Sequence, residues 1–479
     1  MDYKYVVLTN TTVGAFMAVL DGNVVLIALP TIIANLPGTS SFDGIWIIMG
    51  YTLITATLLL TFGRLSDVFG RVRLYTLGFA VFTVGSALCS LSTSGIMLVV
   101  FRLVQGTGGA LIFSNGPAIL TDVFPPEERG RALGINQVAG TAGSVGGLVA
   151  GGVLTAMLGW RSIFWINIPV GLFATVWAFK KLRETSTPSR NERLDPAGNV
   201  LFGGGLSLFL LGLTLGALTG FTGFIVGTMV LGLALLGGFI FVETRTRFPM
   251  IDLSLFRIRQ FSAGILSNLL AAVARGSISL VLVFYFQGAL GLDPLTAGLL
   301  LIPLALAFVT FGPLCGYLSD RYGSRGFATA GVLILSAALF WFSLFPFGAP
   351  YAQLVYPMIL AGVGGGMFVA PNIASIMNAT PPARRGVASG TSYTLLNTGF
   401  LLSMGSAFAI MAVTVPVSTL QSVFAGQAVA LSPAGIQVFV DSIRKVFLVM
   451  GVVSLFAAVP ASLTGRRKAQ KAFNGDEGE

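Results

Sequence analysis

Gly63-Arg-Leu-Ser-Asp-Val-Phe-Gly-Arg-Val-Arg73 returns 253 positions later as Gly316-Tyr-Leu-Ser-Asp-Arg-Tyr-Gly-Ser-Arg325. Two further pairs keep nearly the same spacing. Gly108-Gly-Ala-Leu-Ile-Phe113 recurs as Gly364-Gly-Gly-Met-Phe-Val369, and Arg129-Gly-Arg-Ala132 as Arg385-Gly-Val-Ala388, both at an offset of 256. Matches at one offset of about half the chain length are the mark of two like halves. Each copy of the polar stretch lies between long apolar runs, and reads as a short, tight loop whose glycines permit the turn. In it Asp67 caps a helix end or pairs with an arginine.

The surroundings of these loops are those of a membrane protein. Hydrophobic residues make up 54% of the 479, charged residues 10%, and the mean hydropathy is +0.87. A soluble chain carries about 25% charged residues. Counting apolar runs of about 18 or more residues gives fourteen spans, near 6–34, 43–62, 74–91, 96–120, 132–158, 162–179, 198–218, 222–242, 260–290, 294–315, 327–346, 352–377, 387–414 and 446–464. The expected fold is therefore all-α and integral to the membrane. It comprises a six-helix bundle over 1–181, a cytoplasmic linker at 182–197, two inserted helices over 198–242, a second linker at 243–259, a six-helix bundle over 260–464, and a tail at 465–479. The stretch from Val415 to Phe439 reads as a long outer loop with short amphipathic helices at Leu420 and Ile436.

An even number of spans puts both termini on one side, and the basic residues say which. With cytoplasmic termini, 23 of the 28 Lys and Arg fall on inside segments, while Arg161, Arg444 and Lys445 fall outside and Arg102 and Arg275 within spans. That asymmetry is the positive-inside pattern of a multi-pass membrane protein, expected in the plasma membrane, and it accounts for the net charge of +10 without nucleic acid as a partner. The first span follows Met1-Asp-Tyr-Lys-Tyr5 directly and lacks a small-residue cleavage site, so no cleaved signal is expected. Cys89 and Cys315 lie in apolar runs, which argues against metal or disulfide roles, and no cofactor is implied. Nor is there a phosphate-binding loop of the G-x-x-x-x-G-K-[ST] type, which reads against ATP-driven transport and against an enzyme of that class.

Histidine is absent, so proton chemistry must run on carboxylates. One stands out. Asp21 lies in Val13-Gly-Ala-Phe-Met-Ala-Val-Leu-Asp21-Gly-Asn-Val-Val-Leu-Ile-Ala-Leu-Pro30, about fifteen residues into the first span and close to the bilayer midplane. A carboxylate there costs upwards of about 2.5 kcal/mol. It either carries protons or pins neighbouring helices. Arg102 in the fourth span either snorkels toward the outer face or serves the interior. Near Asp21 it would favour the charged acid while burial favours the neutral one, so a change in their separation would load and release a proton. Arg275 lies about fifteen residues from either end of the ninth span, where snorkelling is strained. Adding 253 to 256 to Asp21 gives 274 to 277, so the repeat sets Arg275 opposite Asp21, and the two are expected to interact directly or through water in at least one state. In the fifth span, Gly143, Gly147, Gly151 and Gly152 are explained by close packing alone or by a special bend.

The doubled G-x-L-S-D-x-x-G-R-x-R pattern resembles motif A of the major facilitator superfamily, and the resemblance covers the whole chain. Fourteen spans and Leu20-Asp21-Gly-Asn-Val-Val-Leu-Ile-Ala-Leu-Pro30 resemble its 14-span drug:proton antiporter-2 family, with Asn23 where that family has Thr and Leu26 where it has Asn. The resemblance implies gating roles for Gly63, Asp67, Gly70 and Arg71, and for Gly316, Asp320 and Arg321 in the second copy. It places Arg102, with Gln105 and Gly106, at a motif implicated in proton transfer. The glycines of the fifth span fit the antiporter motif, except that Leu148 stands where that motif has proline, which leaves antiport and symport both open. Asn23, Gln105, Asn136 and Gln287 are expected along the substrate cavity. Asp21, Arg102 and Arg275 are expected to couple protons to transport. The function so implied is a proton-coupled secondary transporter exporting hydrophobic or amphipathic compounds by alternating access, with a symporter, metabolite facilitator or lipid exporter as the alternative. Its partners would be a small-molecule substrate, protons and the bilayer, and it would act as a monomer. A non-transporting sensor would need neither the buried charges nor the doubled loops.

Overall fold

Apolar runs this long cannot leave backbone N–H and C=O groups unpaired in hydrocarbon, and a helix pairs them within the segment. The computed structural model describes residues 2–184, 195–246, 249–346, 348–381, 384–427 and 432–464, with the side chains at 126, 127, 130, 131, 320 and 386 outside the description. Much of the expected linker at 182–197 and all of the tail at 465–479 thus lie outside the described residues. Among the described residues, fourteen helices are long and apolar enough to cross a membrane. The first seven are α1 (Tyr3–Asn35), α2 (Ser41–Phe69), α3 (Arg71–Ser90), α4 (Gly95–Val123), α5 (Pro126–Leu158), α6 (Ser162–Lys181) and α7 (Pro196–Thr219). The rest are α8 (Gly223–Glu243), α9 (Arg259–Ala289), α10 (Pro294–Ser319), α11 (Ser324–Phe342), α12 (Tyr351–Asn378), α13 (Arg385–Thr414) and α14 (Pro433–Ala461). The protein is a multi-pass membrane protein.

The internal repeat is visible in backbone geometry. Gly70 and Gly323, equivalent positions, carry φ of +103° and +95°, which side chains rarely adopt, and each makes a one-residue turn between helices, since the helical backbone of α10 continues through Tyr322. The Gly63–Arg73 stretch is accordingly corrected from loop to helix end: α2 runs through Phe69 and α3 starts at Arg71, so Gly70 alone breaks the chain direction. Packing repeats as well. A Cβ on Gly78 would sit 3.2 Å from Gly108 O where α3 meets α4, and one on Gly331 would sit 2.8 Å from Gly364 O where α11 meets α12. Small residues at equivalent positions let both helix pairs approach backbone to backbone.

Two further corrections concern the second half. The last span begins at Pro433, thirteen residues before the apolar run that marks it in sequence, so Ile436, Arg444 and Lys445 belong to α14 and not to an outer loop. Phe439, Val440, Ile443 and Val446 are fully buried along it, and Arg444 Nε donates to Ser343 O at 2.9 Å, which draws the polar end into the fold. Of the two short helices expected there, Val417–Phe424 is present and the other is the first turns of α14. The ninth span is not uniform: its α-helix stops at Arg275, turns at Gly276 and Ser277, resumes over Ile278–Val283 and ends as a π-helix over Phe284–Ala289.

The chain gathers into two compact units. Unit one comprises Met1–Met250, Ile278–Ile302 and Met404–Ile443, and unit two comprises Ile251–Ser277, Pro303–Ser403 and Arg444–Glu479. In unit one, Tyr75, Phe79, Phe82, Ile112 and Met17 form a buried cluster around α3 and α4, and Phe284 stacks on Phe424 with centroids 3.9 Å apart. In unit two, Ala328, Val332, Phe368, Ala457 and Ala461 pack together in a core of small and aromatic residues.

Candidate functional site

α5 fixes the position of the Asp21 helix. Cβ atoms added at Gly143, Gly147 and Gly151 would lie 2.6 Å from Phe16 O, 2.7 Å from Leu20 O and 2.9 Å from Val24 Cα. Three glycines four residues apart thus let α5 lie directly on the α1 backbone to either side of Asp21. Gly152 faces another element of the same unit: its Cβ would lie 2.7 Å from Leu295 Cα, and one on Gly298 would lie 2.5 Å from Leu148 O. Leu148, the departure from the antiporter motif, presents its carbonyl at this contact.

With α1 so held, Asp21 is completely buried and forms an ion pair with Arg102 of α4, 1% exposed, at 2.5 Å from Nη1 to Oδ2. Gln105 Nε2 and Asn167 Nδ2 donate to Oδ1 at 2.9 and 2.7 Å. Three donors and no acceptor face the carboxyl group, the complement of an ionised carboxylate. The burial of Arg102 rules out the snorkelling reading for this arginine. Its guanidinium also donates to Ile47 O at 3.1 Å and to Gln105 Oε1 at 2.7 Å, and lies over the Tyr51 ring at 4.4 Å. The Tyr51 hydroxyl is buried without a partner among the described residues. Arg102 therefore keeps three interactions that do not depend on Asp21.

Asn167 escaped the sequence reading. It stands at a helix break, between Ser162–Trp165 and Asn167–Lys181, and donates to Ser86 Oγ at 3.2 Å as well as to Asp21. A lone amide in Trp165-Ile-Asn-Ile-Pro169, two residues before a proline in an apolar run, was the available signal. Of the expected cavity residues, Gln105 is fully buried and engaged in the ion-pair network. Asn23 Nδ2 donates to Val19 O at 3.0 Å, and Asn136 Nδ2 is buried with no partner among the described residues. Gln287, in the π-helix, donates to Ile27 O at 2.9 Å, beside the carbonyl of Leu26 that Pro30 leaves without its helical donor.

The first copy of the repeated stretch is tied on three sides. Arg71 pairs with Asp67 at 2.8 Å across the Gly70 turn and with Asp122 of α4 at 2.7 Å, and Arg64 donates to Pro249 O. Glu184, just beyond α6, accepts from the backbone N–H groups of Arg71, Val72 and Arg73 at 3.0, 3.0 and 3.3 Å. A carboxylate at the first turn of α3 meets both the free amides and the positive end of the helix dipole. Gly63 is mid-helix with open space beside it. In the second copy Gly316 is likewise helical and Arg321 lies over Tyr322 at 5.7 Å, while the Asp320 side chain lies outside the described residues. The position equivalent to Arg71 is Ser324, so the second copy lacks the arginine of the first. Glu184→Ala is expected to cost about 1 kcal/mol, as for loss of a helix cap. Limited trypsin digestion checks it: cleavage at Arg71 and Arg73 should quicken roughly fivefold, with Glu184→Gln in between.

In unit two, Arg275 ends the first segment of the broken span α9. Its Cζ lies 4.9 Å from the Phe308 ring and 5.1 Å from the Phe400 ring, and it forms no ion pair among the described residues.

Comparison with known proteins gives concordant results. The profile of the Major Facilitator Superfamily matches residues 11–404 and again 264–479. The chain is 33% identical over 411 residues to the riboflavin transporter RibZ of Clostridioides difficile, covering 85% of this chain and 88% of that protein. It is 31% identical over 394 residues to the tetracenomycin C resistance and export protein of Streptomyces glaucescens, covering 82% and 73%. Among solved structures, the fold matches an inward-facing bacterial homologue of the human lysosomal transporter Spinster with a TM-score of 0.69, covering 97% of both chains at 18% identity. It also matches a D-xylose–proton symporter with a TM-score of 0.66, covering 96% and 97% at 15% identity.

Proposed function

We propose, from the fact that the chain belongs to the Major Facilitator Superfamily, that this transporter is a proton-coupled antiporter that exports hydrophobic or amphipathic compounds. The observation that carries the proton coupling is the completely buried Asp21, held by Arg102, Gln105 and Asn167. Every neighbour of its carboxyl group is a donor. A proton arriving on Asp21 adds a further donor and removes the charge that holds Arg102, so proton binding weakens the present contact of α1 with α4. Arg102 retains Ile47 O, Gln105 Oε1 and the Tyr51 ring when Asp21 is neutral, so the network re-forms once the proton leaves. Proton occupancy thereby selects between two arrangements of the helices, as alternating access requires. The glycine contacts of α5 with α1 and α10 supply close-packed surfaces that such a change makes and breaks. The tetracenomycin C resistance and export protein among its relatives supports the direction of transport.

The riboflavin transporter among the relatives favours a second reading, proton-coupled transport of a metabolite. One experiment separates the two. In sealed proteoliposomes with a luminal pH dye, substrate added outside makes the lumen alkaline for an antiporter and acidic for a symporter; a luminal pH that substrate leaves unchanged refutes proton coupling of either kind.

A further inference from the structure

Arg275 is a cation without a counter-ion among the described residues. Its side chain is part-buried near the middle of α9, a position where an unpaired charge is costly. Asp252 is the one carboxylate among the described side chains of unit two, and it is paired with Arg384 at 3.0 Å. Phe308 and Phe400 offer their ring faces to the guanidinium at about 5 Å, yet ring faces leave the in-plane N–H donors unused, and no described residue accepts a hydrogen bond from them. Two independent observations mark the same place. The α-helix of the span breaks immediately after Arg275, and interrupted helices are how secondary transporters build substrate sites within the membrane. Beside Gly276, whose Cβ would lie 2.9 Å from Ser403 Cβ, the fully buried Ser403 hydroxyl has no partner among the described residues. Gly365 leaves room for the arrangement: a Cβ there would press on Phe308 at 3.1 Å and meet Arg275 Cδ at 3.8 Å.

We propose that Arg275, Phe308 and Phe400 form a recognition site for the anionic group, carboxylate or phosphate, of an amphipathic ring-bearing substrate. The guanidinium fork fits either oxyanion in bidentate fashion, and Phe308 and Phe400 supply apolar surface beside it for the ring-bearing part of the molecule. The unpartnered Ser403 hydroxyl beside Gly276 would supply a further donor. The proposal rests on the transporter reading above and narrows its substrate class to organic anions.

Equilibrium binding in phosphatidylcholine nanodiscs tests it, using carboxyfluorescein and rhodamine 6G, which share a xanthene frame and carry opposite charge. Loss of a charge-assisted bidentate contact should weaken carboxyfluorescein binding at least about tenfold in Arg275→Gln. Arg275→Lys should fall between the two, and rhodamine 6G should bind the Gln variant as well as or better than the intact protein. Equal loss of both dyes in a folded variant would make Arg275 a packing residue and overturn the proposal. A measurement on the unsubstituted protein removes any dependence on variant folding: pyrenebutyrate should displace carboxyfluorescein and its methyl ester should not, and equal displacement by both overturns the proposal. Repeating the titration with phosphatidylglycerol in the nanodiscs identifies the source of the anion. Undiminished dye binding supports a soluble ring-bearing substrate, and displacement assigns the site to a lipid phosphate and overturns that substrate class. No proton gradient enters these measurements, so they stand even if the coupling experiment fails, and their failure leaves that experiment intact.

Discussion

Replacing Asp21 by Asn is expected to reduce substrate-driven proton movement to the level of protein-free liposomes while the protein stays folded. The substitution is nearly isosteric, so the close approach of Gly147 to α1 is undisturbed. What changes is chemistry. Asn cannot bind and release a proton, and its NH2 adds donors to a site where Arg102, Gln105 and Asn167 already donate. Histidine is absent from the sequence, and no other carboxylate is so deeply buried in α1, so no neighbouring group takes over. Proton flux is read with a luminal pH dye and substrate binding separately, because a variant that binds but does not couple isolates the proton step. Asp21→Glu should retain part of the coupling: it keeps the carboxyl group but forces an extra methylene into a filled site, at a cost of about 1–3 kcal/mol. Coupling at the full rate in Asp21→Asn would leave the acid a structural pin between α1, α4 and α6.

Removing the other side of the pair is expected to be the most destabilising single change in the protein. Arg102→Ala leaves Asp21 charged, buried and without its counter-ion, and such losses cost about 3–5 kcal/mol. It also empties the space over Tyr51 and removes the guanidinium donors from the Ile47 carbonyl and Gln105 Oε1. Thermal melting in detergent checks this, and a double-mutant cycle gives the physical cause. If the cost arises from an uncompensated charge, Asp21→Asn combined with Arg102→Gln melts higher than Arg102→Gln alone, because neutralising the second partner removes the stranded charge. A double variant that melts lower than either single variant would point to lost packing as the dominant cause.

Much of the fold was legible because membranes impose one-dimensional rules. Span length, the bias of basic residues and a repeat at 253 to 256 positions are properties of the chain read in order, and the fourteen helices follow them. The errors lie where tertiary contacts override local hydropathy. The first turns of α14 carry Asp441, Arg444 and Lys445, which lower the apolar signal, yet buried Phe439 and Ile443 hold them helical. The motif around Gly63 looked like a loop because its residues are polar, but only Gly70 needs a backbone conformation that a helix lacks.

The candidate site divides along the same line. Sequence alone marked Asp21, Arg102 and Arg275, because the cost of a charge in hydrocarbon depends on depth, and depth is read by counting residues from a span's end. It could not say which charges meet. Asp21 and Arg102 are 81 positions apart on different helices, and their pairing depends on rotations about α1 and α4 that a shift of one residue would change by about 100°. Nor does it give the partners of Asn167 or Glu184, residues made important by what α6 brings them beside. Composition and order determined how many helices cross and where charge is buried; side-chain packing decided that one arginine neutralises an acid and that another is left without a partner among the described residues.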